Sequence, residues 1–198
     1  MTTLPLIPFW FIRHGQTRYN QAGLVQGVLD VSLNDTGRDQ AERAAPLLQG
    51  WGITAIISSP MRRARETADI INRFLHLPIS DDAELREVSF GGKEGQPLEP
   101  WFPEWIEGRY TPENAESFAA LRERVQAALC RILPAQEGPL LIVAHGGVFR
   151  AIRDLMGLPR EALTGNAIPL YCAPEAGAWR MTVAETRDAK SASPAPSK

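Results

Sequence analysis

Two short apolar runs, one near each end of the chain, stop at a histidine followed by glycine. The first is Phe9-Trp10-Phe11-Ile12, leading into Arg13-His14-Gly15. The second is Leu140-Leu141-Ile142-Val143-Ala144, leading into His145-Gly146-Gly147. A run this short and apolar at every position reads as a strand buried on both faces, and glycine marks the turn after it. Such strands belong to a parallel sheet covered by helices on both sides. Ligands of open α/β sheets bind beyond the carboxyl ends of the strands. The chain has three histidines, so two of them are committed to that edge. Two imidazoles there, one beside an arginine, suggest chemistry on an anion.

Between these elements, strand and helix patterns alternate. Residues 53–57 are β-branched and read as a strand. Residues 36–49 read as a helix that Pro46 should kink or shorten. Phe118, Leu121, Val125, Leu129 and Ile132 keep three-and-four spacing and mark another helix. A shorter one covers 148–156, closed by Gly157, and 178–184 alternates as a late edge strand. The rhythm predicts an α/β three-layer sandwich, a mainly parallel sheet with helices on both faces. A length of 198 residues suits one domain, expected over 1–188. The stretch 189–198 is Ser/Pro/Ala/Lys and reads as a disordered tail. Residues 91–114 break the rhythm with four prolines and four aromatic residues. They are expected to form an insert, read either as a lid or as a packed surface patch.

A net charge of −2 offers no footprint for nucleic acid or membrane. No apolar stretch reaches a membrane span, and no secretory signal pattern opens the chain. Cys130 and Cys172 lie far apart and read as free thiols of a reducing compartment, so a cytoplasmic location is expected. No Cys/His spacing suggests a metal site, and no cofactor is expected.

Ser58-Ser59-Pro60-Met61-Arg62-Arg63-Ala64-Arg65 follows the second strand. Ser59 suits an N-cap and Pro60 a first helical position. Three arginines then crowd a first turn, where the helix dipole disfavours cations. Helical periodicity separates them. Arg62 and Arg65 fall on polar stripes, whereas Arg63 aligns with Thr67, Ile70 and Phe74 on an inward face. A buried arginine needs a counter-anion, either a bound ligand or a carboxylate.

Phosphoryl transfer needs a nucleophile, fixed positive charge and an acid for the leaving group. Neutral His14 can attack phosphorus, and nearby arginines disfavour its protonation. Arg13 and Arg63 can clamp phosphoryl oxygens, and His145, if protonated, adds a donor. Gly15 and Gly146 permit close backbone approach to a phosphate. Glu87, in Leu85-Arg86-Glu87-Val88-Ser89-Phe90-Gly91, is the candidate acid, because an apolar setting favours the protonated carboxyl. Asp82 and Glu84 lie in more polar sequence. His76 reads as an exposed helix-end residue.

Taken together, these segments resemble the histidine phosphatase superfamily, also called the phosphoglycerate mutase-like family. The resemblance runs through Arg13-His14-Gly15-Gln16-Thr17 with Asn20, Gln26-Gly27, Asp30, Leu33, Gly37 and Gln40-Ala41. It continues through Ser58-Ser59-Pro60-Met61-Arg62-Arg63-Ala64, Leu85-Arg86-Glu87 with Phe90-Gly91, Glu116-Ser117-Phe118 with Arg124-Val125, and Ala144-His145-Gly146-Gly147. It implies a phosphoglycerate mutase-like fold, His14 as the phosphorylated residue, Arg13, Arg63 and His145 around the phosphoryl group, and Glu87 as acid and base. It also implies that Asn20, Gln26 and Gly27 lie at the pocket edge. Lys93 stands where the family often has tryptophan.

The leading expectation is a cofactor-independent phosphatase acting on a small phosphorylated metabolite through a phosphohistidine. A phosphoglycerate-type mutase is disfavoured by the acidic insert, where Lys93 and Arg109 face Glu94, Glu99, Glu104, Glu107 and Glu113. The third alternative is a non-catalytic module that binds a phosphorylated ligand. Oligomeric state stays open, with a homodimer as one option.

Overall fold

The computed structural model describes residues 4–98 and 100–184. They form one six-stranded sheet in the order β3-β2-β4-β1-β5-β6. The strands are β1 (Phe9–Arg13), β2 (Ala55–Ser58), β3 (Ile79–Asp81), β4 (Leu140–Ala144), β5 (Pro169–Glu175) and β6 (Ala178–Val183). Neighbouring pairs among β1 to β4 run parallel, while β5 is antiparallel to both β1 and β6. β1, apolar up to Arg13, and the all-apolar β4 are the central pair, as burial on both faces requires.

Alternate side chains of β1 feed two cores. Phe9 and Phe11 pack with Ile142, Leu121, Leu129 and Phe149, on the side of α5 (Phe118–Ile132) and α6 (Gly146–Leu155). Trp10 and Ile12 pack with Ile56, Val143, Ala64 and Ile71, on the side of α2 (Asp35–Ala44) and α3 (Arg62–Leu75). This is the expected three-layer arrangement. A short α1 (Arg18–Ala22) follows β1, and α4 (Trp101–Ile106) lies within the insert.

Several element boundaries differ from the sequence reading. The 36–49 helix stops being α-helical at Ala44, and 45–48 continue as a 3-10 turn with Pro46 inside it. The missing N–H of proline accounts for the change. Helix α3 starts at Arg62, not at Pro60. Its Arg62 N–H donates to the Asp30 carboxylate at 2.7 Å, and Ser59 Oγ accepts the Met61 N–H at 3.3 Å. Phe74, expected inward, is 43% exposed. Helix α6 starts at Gly146, two residues before the expected position. The tail predicted for 189–198 lies outside the described residues, among which no helix is long and apolar enough to cross a membrane.

Three of the four insert rings pack together, and Tyr110 is exposed. Phe90, Trp101, Phe102 and Trp105 form an edge-to-face and stacked group that reaches Phe118. Trp105 is fully buried and its Nε1–H donates to the Glu116 carbonyl at 2.9 Å.

Candidate active site

The sheet reverses its order between β1 and β4, because the chain leaves β1 for β2 and returns later to fill the gap. His14 and His145 each follow one of these adjacent strands. The His14 N–H donates to the Ala144 carbonyl at 3.0 Å, so the ladder extends to the histidines themselves. The ring centroids are 5.3 Å apart.

His14 is 1% exposed. Its Nδ1 lies 2.7 Å from the Gly15 carbonyl, and Arg63 Nε lies 3.2 Å from its Nε2. A carbonyl only accepts and a guanidinium only donates, so Nδ1 carries the proton and Nε2 keeps a lone pair. Burial, then the charges of Arg63 and Arg13, hold the pKa of His14 well below the usual imidazole value. The bond to Gly15 opposes them.

Arg63 is completely buried, as its stripe predicted. Nη1 donates to the Leu29 carbonyl at 2.8 Å and Nη2 to the Gly27 carbonyl at 2.9 Å. Among the described residues no ion pair joins Arg63 to a carboxylate. Its pKa falls to about 10, chiefly through burial, while Glu87 and Asp30 oppose the shift. Gly27 adopts φ +52°, and a Cβ there would overlap the Glu94 carboxylate. That carboxylate accepts the Val28 and Phe90 N–H groups, each at 3.0 Å.

Arg13 donates from Nη1 to the Thr164 carbonyl at 3.1 Å. Its Nε is buried without a partner. His145 is fully buried, with Nε2 2.7 Å from Ser59 Oγ and Nδ1 unpaired. The same Ser59 Oγ also accepts the Met61 N–H, just ahead of α3. Burial, then Arg63, His14 and Arg13, push the His145 pKa well below the usual value. Its surroundings therefore favour neutral imidazole, in place of the protonated donor the sequence suggested.

Glu87 is half-buried, a less apolar setting than expected. Its carboxylate accepts the Gly147 N–H at 3.0 and 3.1 Å and the Val88 N–H at 3.1 Å. A Cβ on Gly147 would overlap that carboxylate. Gly147 thus sets where Glu87 sits, a role the sequence reading did not assign.

A cavity of about 270 Å³ brings together Arg13, His14, Arg63, Glu87 and Gly146. Asn20, Gln26 and Gly27 line it too, at the edge the resemblance implied. Gly15 and His145 do not. Gly15 meets the backbone of Gly37, where a Cβ would overlap, and its N–H donates to Thr67 Oγ1 at 3.0 Å. Its role is close packing beside His14 and not approach to a ligand. Thr67, Ser59 and Asn166, whose Nδ2 donates to the His14 carbonyl at 2.8 Å, were missed. Among the described residues no group of three or more His, Cys, Asp or Glu is arranged to hold a metal ion. Two guanidinium groups, that of Arg13 with a buried Nε–H lacking a partner, stand beside the Nε2 lone pair and suit a tetrahedral anion.

The family model of the histidine phosphatase superfamily (branch 1) matches residues 9–174. The chain belongs to this superfamily. Relatives of this superfamily member include the uncharacterized phosphatase PhoE of Bacillus subtilis, 35% identical over 142 residues, which cover 71% of this chain and 72% of PhoE. Another is the probable phosphoglycerate mutase GpmB of Yersinia pestis, 37% identical over 170 residues, covering 79% and 78%. A mycobacterial glucosyl-3-phosphoglycerate phosphatase, solved in complex with VO3, superposes with a TM-score of 0.78 at 28% identity. The match covers 89% of this chain and 97% of that one.

Proposed function

We propose that this histidine phosphatase hydrolyses phosphomonoesters of small metabolites through a phosphohistidine on His14. The observation that carries the reading is the fixed tautomer of His14. Its Nε2 is buried, unprotonated and held by the guanidinium that would clamp the incoming phosphoryl group.

In the first step Nε2 attacks phosphorus, the N–P bond forms and the ester P–O bond breaks. Arg63 moves its Nε–H from Nε2 to a phosphoryl oxygen, and Arg13 Nε–H finds its missing acceptor on another. These fixed donors meet charge where it develops. Glu87, in its acid form, gives its proton to the departing alkoxide. In the second step water loses a proton to Glu87 and attacks phosphorus, and the N–P bond breaks to free phosphate. His145 adjoins this centre as a neutral ring held by Ser59, its centroid 5.3 Å from that of His14.

GpmB suggests a mutase as second reading. The cavity walls beyond the phosphoryl end include Leu24, Val25 and Phe149, which suits a hydrolase for a monoester better than a receptor for a bisphosphate. Steady phosphate release from p-nitrophenyl phosphate, lost in His14→Asn, is the expected outcome. Turnover that survives the substitution would refute the assignment.

A further inference from the structure

The cavity has a second half that the phosphoryl chemistry does not use. Its lining includes Leu24, Leu98, Phe90, Phe102, Phe149 and Leu163. Two of these are conspicuous on the surface: Leu98 is 57% exposed and Leu163 is 78% exposed. Large apolar side chains in water at the rim of a cavity mark a contact surface for a ligand.

Neither rim residue sits on a loose end. Leu98 follows a short antiparallel pairing, in which Val25 N–H donates to the Gln96 carbonyl at 2.9 Å and Gly95 N–H to the Val25 carbonyl at 2.8 Å. Leu163 precedes Thr164, whose carbonyl takes Arg13 Nη1, and Ala167, whose N–H donates to the Arg13 carbonyl at 2.9 Å. Both lips are fastened to the backbone or side chains that carry the phosphoryl site. An alcohol leaving His14 would therefore pass between two positioned leucines.

The third arginine of the lining, Arg150, is engaged within the protein. Arg150 donates Nη1 to the Arg160 carbonyl at 2.8 Å and lies 5.2 Å from the centre of the Phe102 ring. It is 6% exposed and covers an aromatic wall. Glu94 lies against Gly27 of the lining, its carboxylate accepting the Val28 and Phe90 N–H groups.

We infer that the preferred esters are monophosphates of uncharged, apolar alcohols, whose carbon skeleton lies between Leu98, Leu163, Phe102 and Phe149. This rests on the phosphatase reading above. The test is a series of ethyl, butyl and hexyl phosphate, with glycerol 3-phosphate and 3-phosphoglycerate as polar and anionic comparisons. The alkyl alcohols are similar leaving groups, so kcat/KM along the series reports burial. Each added CH2 should raise it about 2–4-fold until the chain reaches the rim. Leu98→Ser and Leu163→Ser should each flatten the hexyl-to-ethyl ratio, whereas Leu6→Ser, at an exposed leucine outside the cavity lining, should leave that ratio as it was. A flat alkyl series, or a preference for glycerol 3-phosphate or 3-phosphoglycerate over butyl phosphate, would overturn the inference even if the serine variants fail to fold. Absence of turnover with every ester would instead overturn the phosphatase reading on which it depends.

Discussion

The two buried histidines make the protein sensitive to mild acid in a way that can be calculated. Both are held neutral in the folded state, His14 and His145 alike, by burial and then by Arg63. In the unfolded chain each returns to a pKa of about 6.5. Between that value and the lowered folded one, the unfolded state binds more protons, so stability is lost as pH falls. Each such histidine contributes a slope of up to about 1.4 kcal/mol per pH unit, and the pair about twice that. The loss sets in as pH falls through about 6.5 and grows with further acidification, against a typical total stability of about 5–15 kcal/mol. Urea unfolding in a phosphate-free buffer, repeated across this window, measures it. His145→Gln keeps a partner for Ser59 but removes one titration, so its slope should be about half that of the unaltered protein. A stability that stays level from pH 7 to pH 5, or an unchanged slope in His145→Gln, would refute the buried-neutral description.

Three substitutions probe the rest of the site. Glu87→Gln should lower kcat for alkyl phosphates by about 10²–10⁴ while leaving the fast phosphorylation burst with p-nitrophenyl phosphate largely intact, because a good leaving group needs no acid. Equal losses on both esters in rapid-quench kinetics would argue against an acid role. Arg63→Lys cannot bridge Nε2 of His14 and the carbonyls of Gly27 and Leu29 together, so kcat/KM should fall about 10²–10³. A loss below tenfold in steady-state assays would not fit. Gly15→Ala drives a methyl group into the Gly37 backbone and should cost about 1–3 kcal/mol, seen as a fall in Tm. An unchanged Tm would mean that this contact relaxes freely.

The layers and the site were legible to different depths. Strands β1 and β4 were plain because burial leaves no polar position in them before Arg13 and His145, and their His-Gly ends located the site. Arg63 was separable from its neighbours because α3 keeps a regular period. The same stripe overreached at Phe74, which is exposed in the last turn of α3. The start of α3 was misplaced because the Asp30 carboxylate, 32 positions away in the chain, accepts the Arg62 N–H, while Ser59 holds His145, 86 positions away, as well as the Met61 N–H. Local capping rules cannot see such partners. Asn20, Gln26 and Gly27 emerged only through resemblance, and nothing local marks them. Leu98, Phe102, Phe149 and Leu163 come from three separate segments, and only the tertiary structure shows that they share one wall.

The central claim is that His14 attacks through Nε2 because Gly15 holds the proton on Nδ1. Rapid mixing with a phosphomonoester, denaturation at neutral to alkaline pH and mass spectrometry would locate the phosphate, and NMR of the labelled phosphoprotein would identify the ring nitrogen. The structure predicts phosphate on Nε2 of His14 and none in His14→Asn. Phosphate on Nδ1 or on His145, or full turnover without any phosphoenzyme, would contradict it.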